Sequence, residues 1–143
     1  MDKIRFMVVS GFLGAGKTTT MIALAEYMDR NIGKTAIIAN DLGANLVDTS
    51  LTQTSGCTVA EIGNDCICYQ MDNTVDQIRR LRDKEGATFV MSDIPGCGVG
   101  ALDHVYHTLH DDNADEFTLS PFMVMVDPER LSMIMHENAD INL

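Results

Sequence analysis

Gly11-Phe12-Leu13-Gly14-Ala15-Gly16-Lys17-Thr18 satisfies the pattern G-x-x-x-x-G-K-[ST], and its setting gives the match its meaning. An almost wholly apolar run, Ile4–Ser10, leads into it. A helical stripe of Met21, Ala25, Met28 and Ile32 leads out of it. Strand, glycine turn and helix in that order read as a phosphate-binding loop. Gly11, Gly14 and Gly16 permit backbone geometries closed to other residues, so that N–H groups up to Ala15, Gly16, Lys17, Thr18 and Thr19 can converge on an anion. The helix that follows adds its positive end. Lys17 is then expected on the β- and γ-phosphates and the Thr18 hydroxyl on Mg²⁺. A glycine turn with no ligand is the alternative, and the agreement of strand, loop and helix argues against it.

Outward from this loop, Thr35–Asn40, Thr88–Ser92 and Pro121–Val126 are short and nearly continuously apolar, as strands buried on both faces must be. A further short strand is expected at Thr58–Ile62. Met71, Val75, Ile78 and Leu81 make a second helical stripe closed by Gly86, as Gly33 closes the first. Leu102, Val105, Tyr106 and Leu109 make a third, which faces away from His104. The alternation predicts an α/β P-loop fold, a mostly parallel sheet flanked by helices on both faces, in one domain spanning 1–143. The ten methionines fall largely on strands and stripes and read as core.

Composition narrows the function classes. The 143 residues are 45% hydrophobic and 22% charged, which suits one globular domain and excludes disorder as the main description. A formal charge of −11 disfavours nucleic acid and anionic lipid as partners. No apolar run approaches the ~20 residues of a membrane span, and the amino terminus lacks a long apolar signal core, so no membrane role and a cytoplasmic location are expected. Thiols stay reduced there, which favours metal binding over disulfides for the four cysteines.

Asp93-Ile94-Pro95-Gly96 follows directly on a predicted strand. A carboxylate there can hold a Mg²⁺-bound water, and the Gly96 N–H can reach the γ-phosphate, which makes Lys17 and Asp93 the expected catalytic pair. Glycines at 96, 98 and 100 would let the segment move when the γ-phosphate leaves. An ordinary Asp-x-x-Gly turn is the alternative. Cys66-Ile67-Cys68 offers two thiolates from one turn to a soft or borderline metal ion, against a bland reading as two small core residues. His104, His107 and His110 lie three apart on one helix, where pairs of them could bind a metal, but they face away from the apolar stripe and read as solvated surface, as do Asp111, Asp112, Asp115 and Glu116. The long non-periodic stretch Asp41–Asn64 is expected to be functional or mobile.

These signatures together, Ser10 to Thr19, Asn40-Asp41-Leu42-Gly43, Asn64-x-Cys66-Ile67-Cys68 and Asp93-x-x-Gly96, resemble the CobW-type GTPases, relatives of the nickel-insertion GTPases of urease and hydrogenase. The resemblance runs from Ile4 to about Arg130. It implies Mg²⁺-dependent hydrolysis of GTP coupled to delivery of a transition metal, zinc, cobalt or nickel, to a client such as a cobalamin-related or other metalloenzyme. It also implies a metal site at a Cys-x-Cys-Cys motif, of which this chain keeps Cys66 and Cys68 but has Tyr69 at the third place. Asp65 stands for the family's glycine, and Asp41 and Asp93 for its glutamates. A tetrahedral site requires about four ligands. Asp41, in the place of the family's acidic residue, is expected to join the thiols, with Cys57, Cys97, a second subunit of a homodimer or the client supplying the rest.

The guanine-specifying [NS]-K-x-D tetrapeptide is absent from the 143 residues, so guanine preference rests on the resemblance, and the chain is expected to be an amino-terminal portion ending before that motif and the family's carboxy-terminal domain. Two other readings compete. A small-molecule P-loop kinase would need an arginine-bearing lid, which the clustered Arg79, Arg80 and Arg82 do not suggest. A nucleotide- or metal-sensing module would bind without turnover.

Overall fold

The computed structural model describes residues 3–40, 56–63, 65–94 and 100–137. Six strands, β1 (Ile4–Gly11), β2 (Thr35–Asn40), β3 (Thr58–Ile62), β4 (Phe89–Asp93), β5 (Phe117–Leu119) and β6 (Met123–Met125), form one sheet. The order is β3-β2-β4-β1-β5, with β6 also against β1, and every pairing is parallel. Alternate residues of each strand feed opposite faces. Phe6, Val8, Ala36, Ile38 and Val90 pack with Val75, Ile78, Val105 and Leu109 on one side. Met7, Val9, Ile37, Phe89 and Met91 pack with Met21 and Ala25 on the other. Both faces are covered, which is why the strands read as unbroken apolar runs.

Helix α1 (Lys17–Asn31) covers one face; α2 (Met71–Glu85) and α3, residues 100–112, cover the other. Helix α4 (Pro128–Glu137) follows β6 and buries no residue. The α2 stripe is as the periodicity predicts: Val75, Ile78 and Leu81 are buried, and Gly86 ends the helix in the left-handed conformation, with the Ala87 N–H reaching back to the Leu81 carbonyl at 3.1 Å. Two stripe positions differ. Ile32 is 56% exposed, because α1 stops at Asn31 and the chain turns away before the fourth contact. Leu102 is 54% exposed, and Ala101 takes its place beside Val105 and Leu109. The winding explains this. Ala101–Tyr106 and Thr108–Asp112 are π-type turns, wider than 3.6 residues, so a four-residue spacing meets the sheet where an α-helical stripe would drift off it.

The last predicted strand, Pro121–Val126, is also redrawn. β5 ends at Leu119, β6 begins at Met123, and Pro121, with no N–H to donate, lies in the break. β1 therefore pairs with β5 at Ile4–Phe6 and with β6 at Val9–Gly11. Tyr106 fills the gap between them. Its hydroxyl accepts from the Val8 N–H at 3.3 Å and donates to the Ser120 carbonyl at 2.9 Å. Burial pushes this phenol above its ordinary pKa.

Glu116 is not part of a solvated loop, as the charge pattern suggested. Its carboxylate accepts from Arg79 Nη2 at 2.6 Å and from Arg82 Nη1 at 2.9 Å, tying α2 to the start of β5. Hydrogen bonds from Arg79 and then Arg82 hold its pKa down at about 2. A carboxyl whose folded pKa is depressed adds stability above its unfolded value and loses it as pH falls through the folded one. At 32% exposure water screens the group, so Glu116→Gln is expected to cost only about 1 kcal/mol at pH 7. That deficit should fade between about pH 4.5 and pH 2, as urea midpoints taken across the range would record.

Candidate functional site

The carboxyl end of β1 runs straight into the glycine loop, and the loop into α1. Gly14 and Gly16 sit at φ 79° and 90°, a region that costs a side-chain-bearing residue but not glycine, and Gly16 caps α1. Gly11, also at positive φ, has a further reason to lack a side chain: a Cβ there would collide with the Met125 carbonyl oxygen of β6. The Ala15 N–H closes the turn on the Phe12 carbonyl at 3.0 Å. Lys17 folds back over the loop, its Nζ donating to the carbonyls of Gly11 at 2.8 Å and Phe12 at 3.3 Å. Thr18 is half-buried in the first turn of α1 and Thr19 is exposed. No acidic residue occupies that turn, so the positive end of the helix is not neutralised where an anion would meet it. This geometry fits a phosphate group.

Arg130, which the sequence left unassigned, is brought onto the same loop. Its Nη1 donates to the Leu13 carbonyl at 3.2 Å and its guanidinium lies 5.1 Å from the centre of the Phe12 ring. Asp127 accepts from the N–H groups of Glu129 at 3.0 Å and Arg130 at 3.2 Å, ahead of a helix that begins at Pro128. That capping pattern after a strand beside β1 was the available signal, because it starts α4 at the loop's end of the sheet.

Asp93 is the last residue of β4, adjacent to β1 in register with Val9, and so stands at the same end of the sheet as the loop. Its Oδ1 accepts from the Asn40 N–H at 2.9 Å. Asn40, the last residue of β2, is buried, and its side chain is fully engaged. Nδ2 donates to the carbonyls of Ile62 at 3.1 Å and Asp65 at 2.9 Å, while Oδ1 accepts from the Ile67 N–H at 2.9 Å. One residue thus joins the ends of β2, β3 and β4 to the segment that carries the thiols. Its side-chain role had no local signature in the sequence.

Cys66 opens the tight turn Ile67–Tyr69, whose Ile67 is sunk in the core and fixes its orientation. The Cys66 and Cys68 sulfurs lie 3.0 Å apart without a disulfide, Cys68 being buried and Cys66 half-buried. Gln70 clamps the approach, donating to the carbonyls of Gly63 and Asp65, each at 3.0 Å. Soft donors so close suit a borderline transition metal, and among the described residues no three His, Cys, Asp or Glu side chains converge as they stand. Cys57 is not a partner. It precedes β3 and packs towards the α1 face, whereas Cys66 follows β3 at the strand's other end. Asp41, Gly96 and Cys97 lie outside the described residues. His104, His107 and His110 are exposed, and His110 pairs with Asp111 at 2.8 Å. His104 differs from the surface reading in having a neighbour, the Tyr69 ring at 6.1 Å.

Residues 5–142 match the family model described as CobW/HypB/UreG, nucleotide-binding domain. The chain is 38% identical over 64 residues to the zinc chaperone YeiR of Escherichia coli strain K12, which covers 45% of this chain and 19% of that protein. It is 23% identical over 150 residues to the zinc-regulated GTPase metalloprotein activator 1 of Schizosaccharomyces pombe, covering 99% of this chain and 36% of that one. The chain thus spans well under half the length of these relatives. A crystal structure of a Zn(II)-bound triple mutant of the YjiA GTPase superposes with a TM-score of 0.60 at 21% identity, over 96% of this chain and 44% of that one, a likeness of fold. With the parallel sheet, the glycine loop at the end of its central strand and a family match over nearly every residue, the chain belongs to the nucleotide-binding domains of the CobW/HypB/UreG family.

Proposed function

We propose that this chain is the nucleotide-binding part of a cytoplasmic metal chaperone that binds and hydrolyses GTP, and that the phosphate state of its loop governs a transition-metal ion held at Cys66 and Cys68. The observation that carries this reading is the buried Asn40 node. It joins Asp93, at the phosphate end of the sheet, to Asp65 and Ile67 on either side of Cys66. The relatives named zinc chaperone and zinc-regulated GTPase support zinc as the first cargo to test, with cobalt and nickel after it.

In this reading the backbone of Gly11, Gly14, Ala15, Gly16 and Thr19 cradles phosphate, and Lys17 exchanges its two loop carbonyls for phosphate oxygens. The Thr18 hydroxyl and Asp93 would hold Mg²⁺, which when bound would neutralise phosphate charge, and the Gly96 N–H would read the γ-phosphate. Asp93 is the residue that reports the change. A shift of its carboxylate would be felt at the Asn40 N–H, from which it accepts, and the Asn40 side chain would pass that shift to the turn beside Cys66. Asp41, next in the chain, joins the donor set by the family pattern. A client metalloenzyme takes the ion, and a second subunit of a homodimer supplies donors that this chain does not.

The test measures zinc affinity with a non-hydrolysable GTP analogue and with GDP, each with magnesium. A difference of about 5- to 150-fold is expected, the usual span of coupled sites. Equal affinities would remove the coupling, because linkage demands a difference.

A further inference from the structure

We propose that His104 is a ligand of the metal held by Cys66 and Cys68, an inference that rests on the metal-binding reading above. Two thiolates from one turn cannot hold zinc alone. A four-coordinate site needs two donors more, and with Asp41 joining by the family pattern one position is left to fill.

Three observations select His104. A point one bond beyond the Gly100 Cα, where a side chain would begin, is 3.0 Å from His104 Cδ2 and 3.3 Å from Cys68 Sγ. The edge of the imidazole and the thiol therefore flank one small space, and Gly100 keeps it open by having no Cβ. The Cys66 sulfur adjoins that of Cys68 at 3.0 Å, so all three donors belong to one neighbourhood. Tyr69, 79% exposed, presents its ring 6.1 Å from the imidazole at 39° and walls the outer side.

The backbone beneath is firm. Ala101 and Val105 are buried on either side of His104 in sequence, so α3 holds the histidine Cα in place while its exposed side chain can turn. Convergence needs only such turning. Zinc–sulfur bonds of about 2.3 Å at a tetrahedral angle separate two sulfurs by about 3.8 Å, so the pair must open slightly and the ring must swing inwards. Exposed side chains change rotamer within nanoseconds. His107 and His110 offer no comparable contact: among the described residues His110 is paired with Asp111, and neither is placed against the thiol turn by a ring contact. A neutral imidazole beside two thiolates is a donor set suited to zinc or cobalt(II).

The experiment titrates Co²⁺, then Zn²⁺ against a chromophoric chelator, into the whole chain kept reduced. Wild type should show sulfur-to-cobalt charge transfer with the intense visible bands of a tetrahedral ion. His104→Ala should weaken zinc binding at least about tenfold, since losing even a partner behind a ligand costs roughly 10- to 100-fold, and should lower the visible bands while the sulfur band persists. His104→Cys should restore affinity and strengthen the sulfur band, a rescue that a merely structural role would not produce. His107→Ala should match wild type. Imidazole scattering in the zinc absorption spectrum, lost in His104→Ala, gives a readout independent of affinity. If His104→Ala binds like wild type while Cys66→Ser with Cys68→Ser does not bind, His104 is no ligand and the thiol site stands. If the double serine variant binds like wild type, the metal reading itself falls, and this inference with it.

Discussion

Lys17→Ala is expected to lower single-turnover hydrolysis of GTP by about 10²–10³-fold, the usual loss when one preorganised charge facing a transition-state oxyanion is removed. Lys17 carries the cation of the loop, and its two contacts in this structure, to the Gly11 and Phe12 carbonyls, are ones it can exchange for phosphate. Lys17→Arg should rescue little. A planar fork cannot stand in for a compact ammonium inside a loop shaped around it. Stability should barely move, since the residue is half-buried at the start of α1 and no core packing is lost. Calorimetry with GTP and magnesium separates binding from turnover. If Lys17→Ala retained both at wild-type values, the phosphate-loop assignment would be overturned.

Asn40→Ala is expected to have the largest effect on stability of any single polar truncation near the site. It leaves the buried Ile67 N–H and the Ile62 carbonyl without their Asn40 partner, while the Asp65 carbonyl keeps its bond from Gln70. An orphaned buried polar group costs about 1–3 kcal/mol, and water entering the space recovers part of it, so a net loss of about 3 kcal/mol follows. For a chain of this size that lowers Tm by about 10 °C. Asn40→Asp should be no better, because it keeps the acceptor for Ile67 but turns a donor into a charged acceptor facing two carbonyls. The functional consequence is separable from the stability loss. In either variant the backbone bond to Asp93 persists, yet the zinc affinity ratio between the GTP-analogue and GDP states should collapse towards one. A variant that folded and kept the full ratio would show that the two sites communicate by another route.

Much of this architecture is written locally. The glycine loop, the two-sided strands and the α2 stripe with its Gly86 terminator each depend on residues within a turn or two of one another, so each is legible in the sequence. β3 is legible for the same reason. What resisted reading depends on distant backbone atoms or on helix winding. The Asn40 side chain meets Ile62, Asp65 and Ile67, more than twenty residues on, and two of those partners are carbonyls that any sequence would supply. Arg130 reaches Leu13 across 117 positions. An α-helical period does not place Leu102, because that segment winds in wider turns, and nothing near Glu116 in sequence marks it as paired, because its cations lie 34 and 37 residues earlier on another element.

The sequence by itself determined that a parallel sheet would carry a phosphate loop on its first strand, and that two cysteines would share one turn, since glycine freedom, apolar periodicity and spacing act over a few residues. Tertiary structure alone decided which side chains stand beside those features: Asn40 between loop and thiols, Arg130 on the loop, His104 beside Cys68, and Cys57 at the wrong end of β3. Such neighbours are set by how the two faces of the sheet are covered, and burial brings together residues that the chain itself keeps far apart.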